Sequence, residues 1–269
     1  MNPFFKAILL LICGVTALRA QVVGASMALE GRAAITRAAT YLLAHQRENG
    51  SWEDSPALTS LSGQSLLAAN SFLEDEGMAL ATARALSYVR TSPVDSTWRE
   101  AVRLRLLLEA EAQTDETALR EALSRLAKLP PSPEGTVWLA DALLQCASRL
   151  KATVPAVDTA KTPHTAAERL ALAVITANHT DTSLKTLYSA ARNTNPFSAT
   201  LPELYWAARS FQACNDADAF PYDNWKADIL SALFDRQRGN GAWQKNSQSD
   251  AQTIQDTSLA IQTIIICLN

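Results

Sequence analysis

Three aspartates stand where a chain often keeps its chemistry, just after a turn and just before an apolar helix. Asp54 follows Asn49-Gly50-Ser51-Trp52, and Asp250 and Asp256 follow Asn240-Gly241-Ala242-Trp243. Carboxylates brought together at a cavity rim can work as general acid and base. The same residues at the same places also cap helices or sit in solvated loops, and that is the preferred reading of all three. Asp216-Ala217-Asp218 lies in a polar loop beside Pro221 and reads as solvated. His179-Thr180-Asp181 offers a weak metal-ligand pattern with no cysteine near it. A lone histidine at a helix end is more often a surface residue, and His45 and His164 complete the set, so no metal site and no cofactor are expected. Gly63-Gln64-Ser65 breaks off at Leu66 before a nucleophile-elbow pattern forms. Neither a phosphate-binding glycine loop nor His-Glu-x-x-His is present.

Helices must position these residues. The chain of 269 residues is 48% hydrophobic and 19% charged, a globular balance with room for one large domain. Nine glycines and 11 prolines favour helices over a turn-rich β architecture. Prolines punctuate the chain at Pro56, Pro93, Pro130-Pro131-Pro133, Pro155, Pro163, Pro196, Pro202 and Pro221, and the segments between them carry helical periodicity. Ala118, Leu119, Ala122, Leu123 and Leu126 fall on one helix face, with Thr114-Asp115-Glu116 as cap and acidic first turn. The pattern predicts helices over 31–46, 58–73, 76–90, 96–112, 116–128, 134–150, 165–178, 181–192, 201–213, 224–237 and 252–267. No alternating strand pattern of useful length is present, so the chain reads as all-α, built of stacked helical hairpins.

Two segments answer each other across the chain. Arg37-Ala38-Ala39-Thr40-Tyr41-Leu42 leads into Gln46-Arg47-Glu48-Asn49-Gly50-Ser51-Trp52, and a helix near the end leads into Gln237-Arg238-Gly239-Asn240-Gly241-Ala242-Trp243. Asn-Gly supplies the positive φ that stops a helix and turns the chain. A glutamine amide can tie that helix end to its neighbour. The tryptophan covers a large apolar area at the turn.

The first segment resembles the QW motif of squalene-hopene and oxidosqualene cyclases, with Arg37, Tyr41, Gln46, Gly50 and Trp52 in order. The second keeps Gln237, Gly241 and Trp243, while Lys226-Ala227 lies one residue further from the glutamine and Ala232 replaces the aromatic. The resemblance to this terpene-cyclase and prenyltransferase-repeat family implies an (α/α) toroid of about five to six helical hairpins, with these eight residues in structural roles. It also implies that the two copies, near opposite ends of the chain, rivet a closed ring. The family's Asp-rich cyclase motifs are missing, and so is the Asp/Cys/His zinc set of the protein prenyltransferases. The Cys-Gly-Glu-Gln signature of thioester toroids is likewise missing. Aromatics, which would stabilise cations in a cyclase cavity, are only 7%, and Trp98, Trp138, Trp206 and Trp225 read mostly as core.

The first twenty residues read as a signal peptide, with Lys6 before an apolar stretch from Ala7 to Leu18 and an end at Ala20, or at Ala25 or Ala28. Residues 29–269 then form a single domain, exported to a periplasm or secreted; an uncleaved N-terminal anchor is the alternative. Cys13 invites a lipoprotein reading that Ile12 disfavours. Export would leave Cys146, Cys214 and Cys267, read as buried apolar residues, with Cys214 and Cys267 the pair to test for a disulfide. A net charge of −3 without a basic stripe argues against nucleic acid, and no membrane contact is expected beyond the N-terminal segment. The expected function is a non-catalytic domain that binds a protein partner or an apolar ligand. An enzyme on the same toroid, isoprenoid cyclase-like or a glycan lyase or hydrolase, is the alternative; in glycan-degrading toroids carboxylates or arginines ring the cavity mouth.

Overall fold

A computed structural model describes residues 23–93, 95–110, 120–121, 124–126, 136–150, 165–176, 181–216, 224–244 and 248–269. Among them lie ten α-helices and no strand: α1 Ala25–Ala44, α2 Pro56–Leu73, α3 Glu76–Thr91, α4 Thr97–Ala110, α5 Thr136–Leu150, α6 Ala166–Thr176, α7 Asp181–Arg192, α8 Leu201–Asp216, α9 Trp225–Arg236 and α10 Asp250–Leu268. The protein is all-α. The export segment, Thr114-Asp115-Glu116 and most of the helix expected over 116–128 lie outside the described residues; 120–121 and 124–126 are helical.

Local chemistry sets the boundaries. Ser55 caps α2 by accepting from Leu58 N, with Pro56 opening the helix where no N–H is needed. Asp75 caps α3 through Met78 N at 3.0 Å, and Ser249 caps α10 through Gln252 N. Reciprocal Thr-x-x-Glu boxes start α6 and α8: Thr165 N donates to Glu168 at 2.9 Å and Thr200 N to Glu203 at 2.7 Å. α1 begins at Ala25, six residues before the expected start at 31, because nothing after Gly24 breaks the helix. It ends at Ala44, where His45 leaves the helix to enter the turn.

Helices of two kinds follow from burial. In α2 every residue from Ala57 to Leu66 is buried, and in α10 every residue from Asp256 to Ile264. Burial on all sides marks a helix enclosed by others. α3 buries only Met78, Ala81, Thr82, Ala85 and Val89, a single stripe. Six helices touch in a cycle: α2 packs on α4, α4 on α5, α5 on α6, α6 on α8, α8 on α10, and α10 on α2. α1, α3, α7 and α9 lie against members of this cycle.

The contact between α2 and α10 is polar although buried. Ser62 Oγ and Ser258 Oγ lie 3.0 Å apart, Ser65 Oγ lies 2.8 Å from Ser258 O, and Gln262 Nε2 donates to Ser65 Oγ at 2.9 Å. Small hydroxyls let the two helices approach closely and still satisfy their own polar groups.

Candidate functional site

The two turns have the same construction, atom for atom. Gln46 Nε2 donates to Gly50 O at 3.0 Å, and Gln237 Nε2 to Gly241 O at 3.0 Å. Trp52 Nε1 donates to Leu42 O and Trp243 Nε1 to Leu233 O, each at 2.8 Å. The backbone N–H of Trp52 reaches Thr59 Oγ1 at 3.1 Å, and that of Trp243 reaches Thr257 Oγ1 at 3.2 Å. Both indoles are fully buried. Gly50 has φ 86° and Gly241 φ 91°, a region other residues avoid.

Each turn also grips a second helix. Gln46 Nε2 donates to Ala81 O of α3 at 2.9 Å, and Gln237 Nε2 to Ala34 O of α1 at 2.9 Å. A Cβ on Gly50 would stand 2.6 Å from Arg84 O, and one on Gly241 would collide with Arg37 O. Arg37 closes the second turn, its Nη2 donating to Gln237 Oε1 at 2.6 Å. Arg37 and Arg84 therefore hold equivalent places on α1 and α3. Sequence reasoning missed that Arg84-Ala85-Leu86-Ser87-Tyr88-Val89 repeats Arg37-Ala38-Ala39-Thr40-Tyr41-Leu42. This half-motif lacks its own Gln-to-Trp turn and serves as the surface on which the first turn docks. Tyr88 Oη donates to Asp54 O at 2.8 Å, which adds to that docking. Tyr41 is buried against His45, their rings 4.0 Å apart. Burial first, then the charges of Asp250 and Glu53, push its phenol above the ordinary tyrosine value.

The three rim aspartates fall into different settings. Asp54 is exposed and accepts from Asn49 Nδ2 at 3.1 Å, Ser51 Oγ at 3.0 Å and Arg47. The hydrogen bonds from Asn49 and Ser51, with Arg47 nearby, hold its carboxyl below the usual range. Asp250 is the first residue of α10, where its charge complements the helix dipole. Asp256 is buried and accepts from Gln248 Nε2 and Gln252 Nε2, both at 2.9 Å. It lines a cleft of about 420 Å³ together with Phe197, Arg236, Gln237, Trp243 and Gln244. Arg236 Nη1 donates to Ala199 O at 2.8 Å on the opposite wall. Phe197 stays 53% exposed although its turn is ordered, with Phe197 N bonded to Asn195 Oδ1 at 3.0 Å.

A second cluster, invisible in the sequence, joins three helices of the cycle. Asp141 on α5 lies between two guanidinium groups: Arg209 Nη2 of α8 donates to Oδ1 at 2.8 Å, and Arg105 Nε of α4 stands 3.1 Å from Oδ2. Arg105 Nη2 also meets Glu109 Oε1 at 3.2 Å, and Gln145 Nε2 donates to Asp141 Oδ2 at 3.0 Å. Arg209 Nη1 donates to Tyr205 Oη at 3.0 Å. Trp138 stacks on Tyr205 at 5.3 Å, and Arg105 lies over the Trp138 ring at 5.0 Å. Burial pulls both guanidinium groups down, but Tyr205 and Asp141 more than offset it, so both stay above the ordinary arginine value. Nearby, Glu100 is buried and accepts from Arg125 Nε at 2.9 Å. None of these residues lies within a recognisable spacing of another helix's contribution, which is why only the fold reveals them.

Cys146, Cys214 and Cys267 are buried and unbridged, so Cys214 and Cys267 do not form the disulfide held open for them. Desolvation pushes the thiols of Cys146 and Cys214 up to about 11, and that of Cys267 higher still. Trp138, Trp206 and Trp225 are buried as core, and Trp98 is partly buried against it. His164, His179, Ala217 and Asp218 lie outside the described residues. Among the described residues no group of His, Cys, Asp and Glu is placed to hold a metal ion, and no helix is long and apolar enough to cross a membrane. The sequence matches no protein-family model and no curated protein.

Proposed function

We propose that this protein is an exported helical toroid of the QW-motif kind that binds a protein partner or an apolar ligand and performs no catalysis. The toroid reading is supported by the closed order of helix contacts from α2 round to α10 and back, and by the two turns that each dock on the next outer helix. In this reading α2, α4, α5, α6, α8 and α10 form the inner wall, and α1, α3, α7 and α9 lie outside it. The binding reading rests on one observation. The cleft at the second turn offers an exposed aromatic, Phe197, over polar groups already held by neighbours: Asp256 by two amides, and Arg236 by Ala199 O. An acid and a base already engaged in this way suit a rigid recognition surface better than proton transfer.

The enzyme alternative draws on the same cleft, through the buried carboxylate of Asp256. Purified protein incubated with squalene, an isoprenoid diphosphate and an acidic polysaccharide decides between them. No product above background is expected. Turnover that Asp256→Asn abolishes would establish the enzyme. For the binding function, protein recovered from its own source is analysed by native mass spectrometry, where a bound mass lost in Phe197→Ala is expected; a bare chain in both would remove the cleft from consideration.

A further inference from the structure

The two turns share a backbone but hold their asparagines differently. An asparagine followed by glycine is chemically labile, because a glycine nitrogen with no side chain beside it can reach the asparagine Cγ. Reaction requires the asparagine side chain to swing free of its turn. Asn49 is held by three hydrogen bonds: Oδ1 accepts from Ser51 N at 3.0 Å and from Ser51 Oγ at 2.7 Å, and Nδ2 donates to Asp54 Oδ1 at 3.1 Å. Asp54 is itself held by Ser51 Oγ and Arg47. Among the described residues Asn240 is held by a single bond, from Ala242 N to its Oδ1 at 3.1 Å. Ala242 has no hydroxyl to offer, and Lys245 stands in the sequence where the first turn has Asp54. Gly239 precedes Asn240 with open space around it, where the first turn has Glu48. Exposure and backbone are matched. Both asparagines are exposed, and Gly50 N donates to Arg47 O as Gly241 N donates to Arg238 O, each at 2.9 Å.

We infer that Asn240 is a site of spontaneous deamidation, and that its product opens the clasp between the second turn and α1. Gly241 N attacks Asn240 Cγ. The N–Cγ bond forms, the Cγ–Nδ2 bond breaks, and ammonia leaves carrying the proton from Gly241 N, which gives a five-membered succinimide. Water then opens the ring. Attack at Cγ yields aspartate, and attack at the main-chain carbonyl yields isoaspartate. The net reaction consumes water and releases ammonia, with no change of oxidation state. Isoaspartate routes the main chain through Cβ and lengthens it by one carbon. The turn has no slack for that carbon, since even a Cβ on Gly241 would stand 2.2 Å from Arg37 O. Displacing Gly241 also displaces the Gln237 amide, which donates to both Gly241 O and Ala34 O. The inference needs only the second turn docked on α1, and rests on neither the partner nor the ring reading.

The test ages the purified protein at mildly alkaline pH, folded and, in parallel, in denaturant. Samples are digested for peptide mass spectrometry, with isoaspartyl methyltransferase labelling to identify isoaspartate. In the folded protein the Asn240 peptide should convert roughly tenfold or more faster than the Asn49 peptide, because further hydrogen bonds must break at Asn49. In denaturant the two rates should converge, which assigns the difference to the fold. Ser51→Ala combined with Asp54→Ala removes the bracing and should bring Asn49 up toward the rate of Asn240. If that variant fails to fold, Ala242→Ser supplies the missing hydroxyl and should slow Asn240. The melting temperature of the folded sample should fall as isoaspartate accumulates at position 240. Asn240→Gln, whose longer side chain disfavours the ring closure, should hold its melting temperature through the same incubation. Equal rates at the two sites in the folded protein, faster conversion at Asn49, or an Asn240 that stays intact while the denatured chain converts would overturn the site. Conversion at Asn240 with an unchanged melting temperature would overturn the opening of the clasp.

Discussion

Gln237 Nε2 donates to Ala34 O at 2.9 Å, joining residues 203 positions apart and tying the last turn to the first helix. The same amide also bonds Gly241 O, and its oxygen accepts from Arg37. Gln237→Ala removes all three contacts, leaving the part-buried carbonyls of Ala34 and Gly241 without this donor and the Arg37 guanidinium without this acceptor. A loss of about 1–3 kcal/mol in unfolding free energy is expected. Denaturant melts check it, and a double-mutant cycle with Arg37→Ala should show coupling between the two positions.

Gly241→Ala should destabilise by about 2 kcal/mol or more, because it adds both positive-φ strain and a collision with Arg37 O. Gly50→Ala should behave alike against Arg84 O. Gly239 lies two residues from Gly241 with open space around it, and Gly239→Ala should change stability by less than about 0.5 kcal/mol. Thermal melts of the three variants separate the reading; equal effects at Gly239 and Gly241 would refute it.

Asp141→Ala leaves two guanidinium groups facing each other in the interior. A loss of about 3–5 kcal/mol is expected, the cost of stranding buried charge rather than the net worth of the pair. Replacing Arg105, Asp141 and Arg209 together with apolar residues of similar volume should recover most of it. Equilibrium unfolding of the single and triple variants makes the comparison.

Cys146, Cys214 and Cys267 should resist alkylation at pH 8 in the native protein and react completely in denaturant, since burial both hides them and keeps them protonated. Their folded pKa values are raised above the unfolded value. The stability they lend is therefore full below about pH 8.5 and falls as the pH rises toward the folded value of about 11 for Cys146 and Cys214. Peptide mapping after labelling, and melts between those pH values, check both statements.

Much of the scaffold was legible because its signals are local. Proline punctuation and apolar periodicity located most of the described helices within a few residues, as at α7, where 181–192 was expected and Asp181–Arg192 is observed; α1 starts six residues early. The spacing from Gln46 to Trp52 and from Gln237 to Trp243 announced two identical turns, and their hydrogen bonds follow it. The half-motif from Arg84 to Val89 carried a readable signal, but without its own Gln-to-Trp turn it did not stand out. The Asp141 cluster carried none, for its parts come from α4, α5 and α8 and are brought together only by packing. The polar contact of Ser62, Ser65, Ser258 and Gln262 was hidden for a different reason. Serines inside an apolar helix read as neutral until a partner helix is known to lie against them.

The place where α10 meets α1 has a wider meaning. A Cβ built on Gly31 would lie 3.0 Å from Leu268, so the far end of α10 rests on the opening turns of α1. The order of helix contacts from α2 to α10 and back is thus a word that closes on itself, and reading it from α1 is a convention of synthesis. A short linker from Leu268 to Gly24, with new ends opened at Ser92 between α3 and α4, would spell the same word from another letter. Such a permuted chain would keep both glutamine clasps and both tryptophan lids, and would begin its life at α4.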